Sequence, residues 1–234
     1  MTITRREFLH AASSAPLAAA AWRAPAVAAP RPTDIRVDQV RHWYEDYSYR
    51  APYKFGGRVV DKVTLLNVRC RVTARNGRTA IGFGSMTMGN MWAFPSQTMT
   101  YGTTLGAMKD LAGRIETIVN GCTEVGHPLD FAHVLEPEYL KAAADVSASL
   151  KLDEAIPKLC TLVVASPFDA AIHDAFGKVN GRNVYATYGP DLMTHDLSHY
   201  LGPDFRGERL DAALLAKRQQ KIPLFHSVGG LDPL

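Results

Sequence analysis

The stretch Val63-Thr64-Leu65-Leu66-Asn67-Val68-Arg69-Cys70-Arg71-Val72-Thr73-Ala74-Arg75-Asn76-Gly77-Arg78-Thr79-Ala80-Ile81-Gly82-Phe83-Gly84 decides the fold. Thr64, Leu66, Val68, Cys70 and Val72 share one parity, and Val63, Leu65, Asn67, Arg69, Arg71 and Thr73 the other. Alternate side chains of a strand point to opposite faces, so the first and more apolar set is expected to face the core. Asn76-Gly77 is the strongest short hairpin signal in the chain, because both residues tolerate positive φ. Thr79–Gly84 then reads as the returning strand. Upstream, Ile35–Val40 alternates nearly as well. Three sequential strands with short turns predict an antiparallel meander.

Downstream the period changes to that of a helix. Leu105, Met108, Leu111, Ala112, Ile115, Ile118 and Val119 recur at helical spacing, with Gly121 as a stop. A weaker helix is expected over Pro137–Leu150, with proline near its first turn. Ser166-Pro167-Phe168-Asp169 reads as a helix start, and Phe168, Ala171, Ile172, Ala175, Phe176 and Val179 as its apolar face, ended by Asn180-Gly181. Strands followed by helices predict an α+β fold, a three-stranded antiparallel meander followed by a helical bundle. Ile222–Val228 reads as a short buried strand.

The 234 residues carry 47% hydrophobic and 21% charged residues and a net charge of +3, which exclude disordered, collagen-like and disulfide-scaffold classes. So small a charge does not argue for nucleic acid, and no run of about 20 apolar residues offers a stable membrane anchor. Cys70, Cys122 and Cys160 are odd in number, far apart and outside any CxxC, and read as small buried hydrophobes. Thr4-Arg5-Arg6-Glu7-Phe8-Leu9, the Ala-rich stretch to Ala21 and Ala26-Val27-Ala28 resemble a twin-arginine signal peptide over residues 1–28, cut before Ala29. It removes three arginines against one glutamate, so most of the basicity belongs to the address. Its implied partner is the twin-arginine export machinery, and its implied destination the periplasm or the exterior.

Several of these segments together resemble the enolase superfamily, in its mandelate racemase/muconate lactonizing enzyme branch. They are the meander with Gly82-Phe83-Gly84-Ser85, the run Ser166 to Lys178 with its His173-Asp174 pair and Gly177-Lys178, and Asn180-Gly181-Arg182-Asn183-Val184-Tyr185. Asn183 stands where that branch usually has proline. The resemblance implies residues 29–34 as linker, 35–190 as an enolase N-terminal-like capping domain, 191–221 as connector, and 222–234 as an incomplete start of a TIM barrel. It implies that the parent enzyme abstracts the proton alpha to a carboxylate, as racemase, epimerase or acid-sugar dehydratase, with Mg²⁺ stabilising the enediolate. This chain carries no K-x-K and no spaced acids after residue 222. It is therefore expected to bind no Mg²⁺, to hold no catalytic residue and to be inactive alone, as the truncated product of a frameshifted or split gene.

The resemblance also places two substrate-capping loops, Tyr47–Gly57 and Ser85–Phe94. Their candidates are Tyr47, Tyr49, Arg50, Tyr53 and Lys54 in the first and Met86, Met88, Met91 and Trp92 in the second: cations for an anion, and soft apolar surface. Each of these side chains equally suits packing between domains. His226 is a candidate on the barrel strand. A binding or interaction module completed by a separate barrel chain stays open, as does a homo-oligomer. So does a small metalloprotein using His195 and His199, whose His-Asp-x-x-His spacing is like that of zinc helices but lacks a third ligand.

Overall fold

The structure, a computed structural model, describes residues 30–55, 58–215, 217 and 219–225. The export signal expected over residues 1–28 and His226 lie outside them. Strands β1 (Ile35–Phe55), β2 (Arg58–Ala74) and β3 (Thr79–Thr87) form one antiparallel sheet in the order β1-β2-β3. On β2 the parity is as expected: Thr64, Leu66, Val68, Cys70 and Val72 are all buried. The β2–β3 turn is one residue longer than a two-residue Asn-Gly hairpin. Ala74 N–H donates to Arg78 O at 2.8 Å, so Arg75, Asn76 and Gly77 form the loop, and among them only Gly77 is left-handed, at φ 84°. On β1 the imperfect alternation has a cause. Val37 pairs with Val72 but Gln39 with Arg71, so Asp38 is bulged out and the core parity shifts from Ile35 and Val37 to Val40.

Three long helices and two single turns follow among the described residues: the short α1 (Asn90–Ala93), then α2 (Tyr101–Asn120), α3 (Pro128–Ser149) and α4 (Lys158–Val179), and the short α5 (Ser198–Leu201). Helix α2 is capped by Thr100, whose Oγ1 accepts from Thr103 N–H, and it buries Met108, Leu111, Ala112, Ile115 and Val119. Two expected helix starts are corrected. Helix α3 begins nine residues before Pro137, at Pro128. His127 is its N-cap, in a reciprocal capping box with Asp130. Helix α4 begins at Lys158 rather than after Ser166. Pro167 sits inside it, where its missing N–H leaves Val163 O without the usual donor. Ser166 Oγ donates to that carbonyl at 2.9 Å, which lets the helix continue.

Helix α4 lies directly on β3. A Cβ on Gly82 would sit 2.0 Å from Ala171 O, and one on Gly84 2.0 Å from Pro167 O, so the two glycines set the distance between strand and helix. Asp174 Oδ2 accepts from Phe83 N–H at 2.8 Å and from Lys178 Nζ at 2.6 Å, closing the outer edge of β3. The β1 edge is closed from α2: Asn120 Oδ1 accepts from Val40 N–H at 2.7 Å and its Nδ2 donates to Val40 O at 3.0 Å. Glu116 accepts from His42 N–H at 2.9 Å and also pairs with the His42 ring. Among the described residues α4 is the one helix long and apolar enough for a bilayer, but 61% of that window is buried inside the protein. It is the central core helix.

Cys70 and Cys160 are buried free thiols, and burial pushes both up to about 12; Cys122 is half-buried and also free. A short helical turn at Val184–Ala186 leads into the connector, whose described residues carry α5 and short turns at Pro203–Phe205 and Leu210–Ala213. The strand expected from Ile222 is not formed over its described part. Residues 221–225 have no strand pairing, and Ile222, Leu224 and Phe225 are 77%, 96% and 94% exposed. A strand needs a neighbour to satisfy its backbone and cover its apolar side chains, and none of the described elements lies beside this segment.

Candidate functional site

Strand β3 pairs with β2 only from Leu65 to Thr73. Beyond Leu65, toward the β1–β2 turn, the sheet narrows to a two-stranded ribbon. Within that ribbon Ser48 pairs with Lys62 and Tyr53 with Val60, so Tyr49, Arg50, Ala51 and Pro52 face only Asp61. Pro52 has no N–H to give a ladder, and a bulge of this kind re-aims the side chains it carries.

The bulge places Tyr49 opposite the end of β3. Tyr49 and Lys62 from the ribbon, Met88 from the β3–α1 connection, Met91 and Trp92 from α1, and Tyr101 at the start of α2 line one cleft. A second, more open lobe of about 300 Å³ continues past Val59, Asp61, Lys62 and Tyr101. Lys62 Nζ lies 6.0 Å from the centre of the Tyr101 ring, at the outer limit of a cation–π contact. Burial, with Asp46 and Asp61, raises the Tyr101 phenol above its ordinary value. A Cβ on Gly89 would meet the Trp92 indole nitrogen at 2.0 Å, so the indole folds back over bare backbone. Asn90 is buried, and its Nδ2 donates to Tyr101 O at 3.0 Å and Thr104 Oγ1 at 2.8 Å, tying α1 to α2.

The expected capping residues therefore divide. Tyr49, Met88, Met91 and Trp92 are in the cleft. Met88 is a core residue whose edge forms the floor, and Met86 is half-buried against the core. Arg50 and Lys54 are exposed and stand outside the cleft lining. Tyr47 is exposed, and its hydroxyl donates back along its own strand to Glu45 at 2.6 Å. The side chain of Tyr53 lies outside the described residues. Lys62, Asn90 and Tyr101 were not signalled by the sequence pattern. Pairing Ser48 with Lys62 across the hairpin was the signal that could have found the lysine.

A second cluster lies at the N-terminal end of α3. His195 and His199 do not share a helix, since α5 starts only at Ser198, which corrects the expectation drawn from zinc-helix spacing. Their rings nonetheless stack, with centroids 4.0 Å apart and planes at 15°. Asp130 joins them, all three ligand atoms lying within 4.8 Å of one another. The Asp130 carboxylate accepts from His127 N–H at 2.8 Å and from Tyr200 OH at 2.5 Å. Burial first, then His195 and His133, hold the His199 imidazole below its ordinary value. Asp174, one of the acids carrying the family resemblance, is spent on the β3 backbone and on Lys178.

No family model matches the chain, and no curated protein matches it in sequence. Among solved structures, a Bradyrhizobium enolase complexed with magnesium and mandelic acid is similar at 18% identity and a TM-score of 0.39, over 67% of this chain and 35% of that one. L-Talarate dehydratase from Polaromonas sp. JS666, complexed with Mg and L-glucarate, aligns at 15% identity and 0.38, over 65% and 34%. A dipeptide epimerase from Enterococcus faecalis V583 aligns at 12% identity and 0.38, over 66% and 35%. The chain spans about a third of the length of these structures.

Proposed function

We propose that residues 35–190 form the substrate-capping domain of an enzyme of the mandelate racemase/muconate lactonizing type, acting on a carboxylate such as an acid sugar. One observation carries this reading. The two loops that the resemblance marks as capping, far apart in sequence, converge on a single cleft that offers one lysine, two tyrosines and soft apolar surface. Such a lining suits the carboxylate and the carbon chain of an organic acid. The reaction itself would take place on a barrel outside residues 35–190, and the capping domain by itself is expected not to turn over substrate.

Magnesium belongs to that chemistry, where it stabilises the enediolate. Among the described residues no three carboxylates gather, and the group within mutual ligating reach is Asp130 with His195 and His199. That set is rich in nitrogen, whereas Mg²⁺ takes oxygen. These residues do not fit magnesium. Export by the twin-arginine route is part of the same proposal. It is tested by fusing residues 1–34 to a reporter that works only after folded export, with Arg5→Lys/Arg6→Lys as the control.

The test of the cleft uses Trp92 fluorescence in a Trp22→Phe/Trp43→Phe chain, titrated with mandelate and L-glucarate to millimolar concentration. A saturable change that disappears in Lys62→Met is expected; no change with the lysine intact overturns the reading. Proton exchange alpha to the mandelate carboxylate, followed by NMR in D₂O with Mg²⁺, is expected to be absent. Detectable exchange would overturn the claim that the chain is inactive alone.

A further inference from the structure

We propose that Asp130, His195 and His199 bind one zinc ion, which clamps the connector onto the N-terminal end of α3. The site is independent of the cleft. Its three ligands come from two segments 65 residues apart, so no spacing motif displays it.

Three features of the site argue for a metal rather than a chance gathering. The carboxylate is oriented from behind: His127 N–H and Tyr200 OH each occupy one lone pair, one on either oxygen, and each oxygen keeps another. Hydrogen-bonded ligands of this kind are the usual support of a metal site. The histidine backbone is also fixed in advance. Asp196 accepts from Ser198 N–H at 3.0 Å, Ser198 Oγ at 2.5 Å and Gly207 N–H at 2.8 Å. Arg209 Nη1 donates to Met193 O at 2.9 Å and His195 O at 3.1 Å, so that cation is engaged with carbonyls. Finally, the site is half-open. His199 is exposed and Asp130 is 8% exposed, which gives an ion a way in beside a ligand already largely dehydrated.

The donor set chooses the ion. Two imidazoles and one carboxylate suit Zn²⁺ and disfavour Mg²⁺ and Ca²⁺. Bonds of about 2.0–2.1 Å at the tetrahedral angle put donors roughly 3.3 Å apart. The present 4.8 Å span closes by χ rotation of the two histidines, which unstacks their rings. The His133 ring lies 5.0 Å from that of His199, centre to centre, at the rim of the cluster.

The experiment is calorimetric titration of the tag-free full chain with zinc chloride, alongside His195→Gln and His199→Gln. One zinc per chain is expected, with each substitution weakening binding by at least about tenfold. Cobalt is expected to give tetrahedral visible bands in the wild type that His199→Gln lacks. If a variant fails to fold, the unaltered chain still decides: zinc should slow diethylpyrocarbonate modification of His195 and His199, read by mass spectrometry, and leave His42 unaffected. No binding at micromolar zinc, unchanged affinity in both variants, or equal modification with and without zinc overturns the site.

Discussion

Gly84 and Pro167 are in contact through backbone: a Cβ on the glycine would stand 2.0 Å from the proline carbonyl oxygen. Neither partner has a side chain that can swing aside, so the separation of β3 and α4 is set at this point. Gly84→Ala is expected to cost roughly 3 kcal/mol or more, by forcing helix from strand. Gly106 on α2 is the counterpart, exposed and with nothing within 4 Å of a built Cβ. Gly106→Ala is expected to stabilise by about 0.5–1 kcal/mol through helix propensity. Urea unfolding of the two variants should move in opposite directions.

Asn120 stands in for a fourth strand at Val40, serving both its N–H and its C=O. Asn120→Ala leaves that pair without partners at a covered edge and is expected to cost about 1–3 kcal/mol. Asn120→Asp keeps the acceptor and loses the donor, so its loss should be smaller. Thermal unfolding would check the order.

Ser166 and Pro167 form a compensated pair. Ser166→Ala should cost about 1 kcal/mol, because Val163 O loses its donor. Pro167→Ala restores a backbone N–H to the same carbonyl, so in that background the serine substitution should cost little. A double-mutant cycle with additive losses would contradict the account.

Alkaline conditions should destabilise the fold steeply. Burial pushes Cys70, Cys160, Tyr44 and Tyr188 up to about 12, assisted at Cys70 by Asp38, at Tyr44 by Glu116 and Asp110, and at Tyr188 chiefly by Asp169. From the ordinary thiol and phenol values of 9.0 and 10.0 upward, the unfolded chain has released protons that the folded chain retains. The unfolded state then binds fewer protons, and stability falls as pH rises toward 12. Urea midpoints at roughly pH 8 and roughly pH 11 should show the loss, and Cys160→Ala should reduce it.

The core was legible wherever period and burial coincide. The β2 parity and the Met108–Val119 face of α2 could be read directly, because one apolar side recurs without interruption. Legibility failed where a local device breaks the pattern. Histidine is an unusual N-cap, so the true start of α3 gave way to Pro137, and Ser166 looked like a cap when it was repairing a proline. Of the cleft, Tyr49, Met88, Met91 and Trp92 were readable from the two loops. Lys62 and Tyr101 were not, because a four-residue bulge decides which part of the ribbon faces β3. Asp130 reaches His195 and His199 only through the path of the connector, which local patterning does not record.

Because β3 ends at Thr87 and pairs no further along β2 than Leu65, the ribbon carrying Tyr49 and Lys62 is a cantilever rooted near Thr64. At that root Thr64 Oγ1 donates to Asp46 at 2.5 Å and Met88 N–H donates to Thr64 O at 2.8 Å. Two strands without a third are the least stiff form of sheet, whereas Trp92 and Tyr101 stand on elements tied into the helical core. The cleft is thus walled on one side by elements anchored in the helical core and on the other by a two-stranded ribbon, so a change in its width would be expected to come from the ribbon, about the Thr64–Asp46 contact at its root.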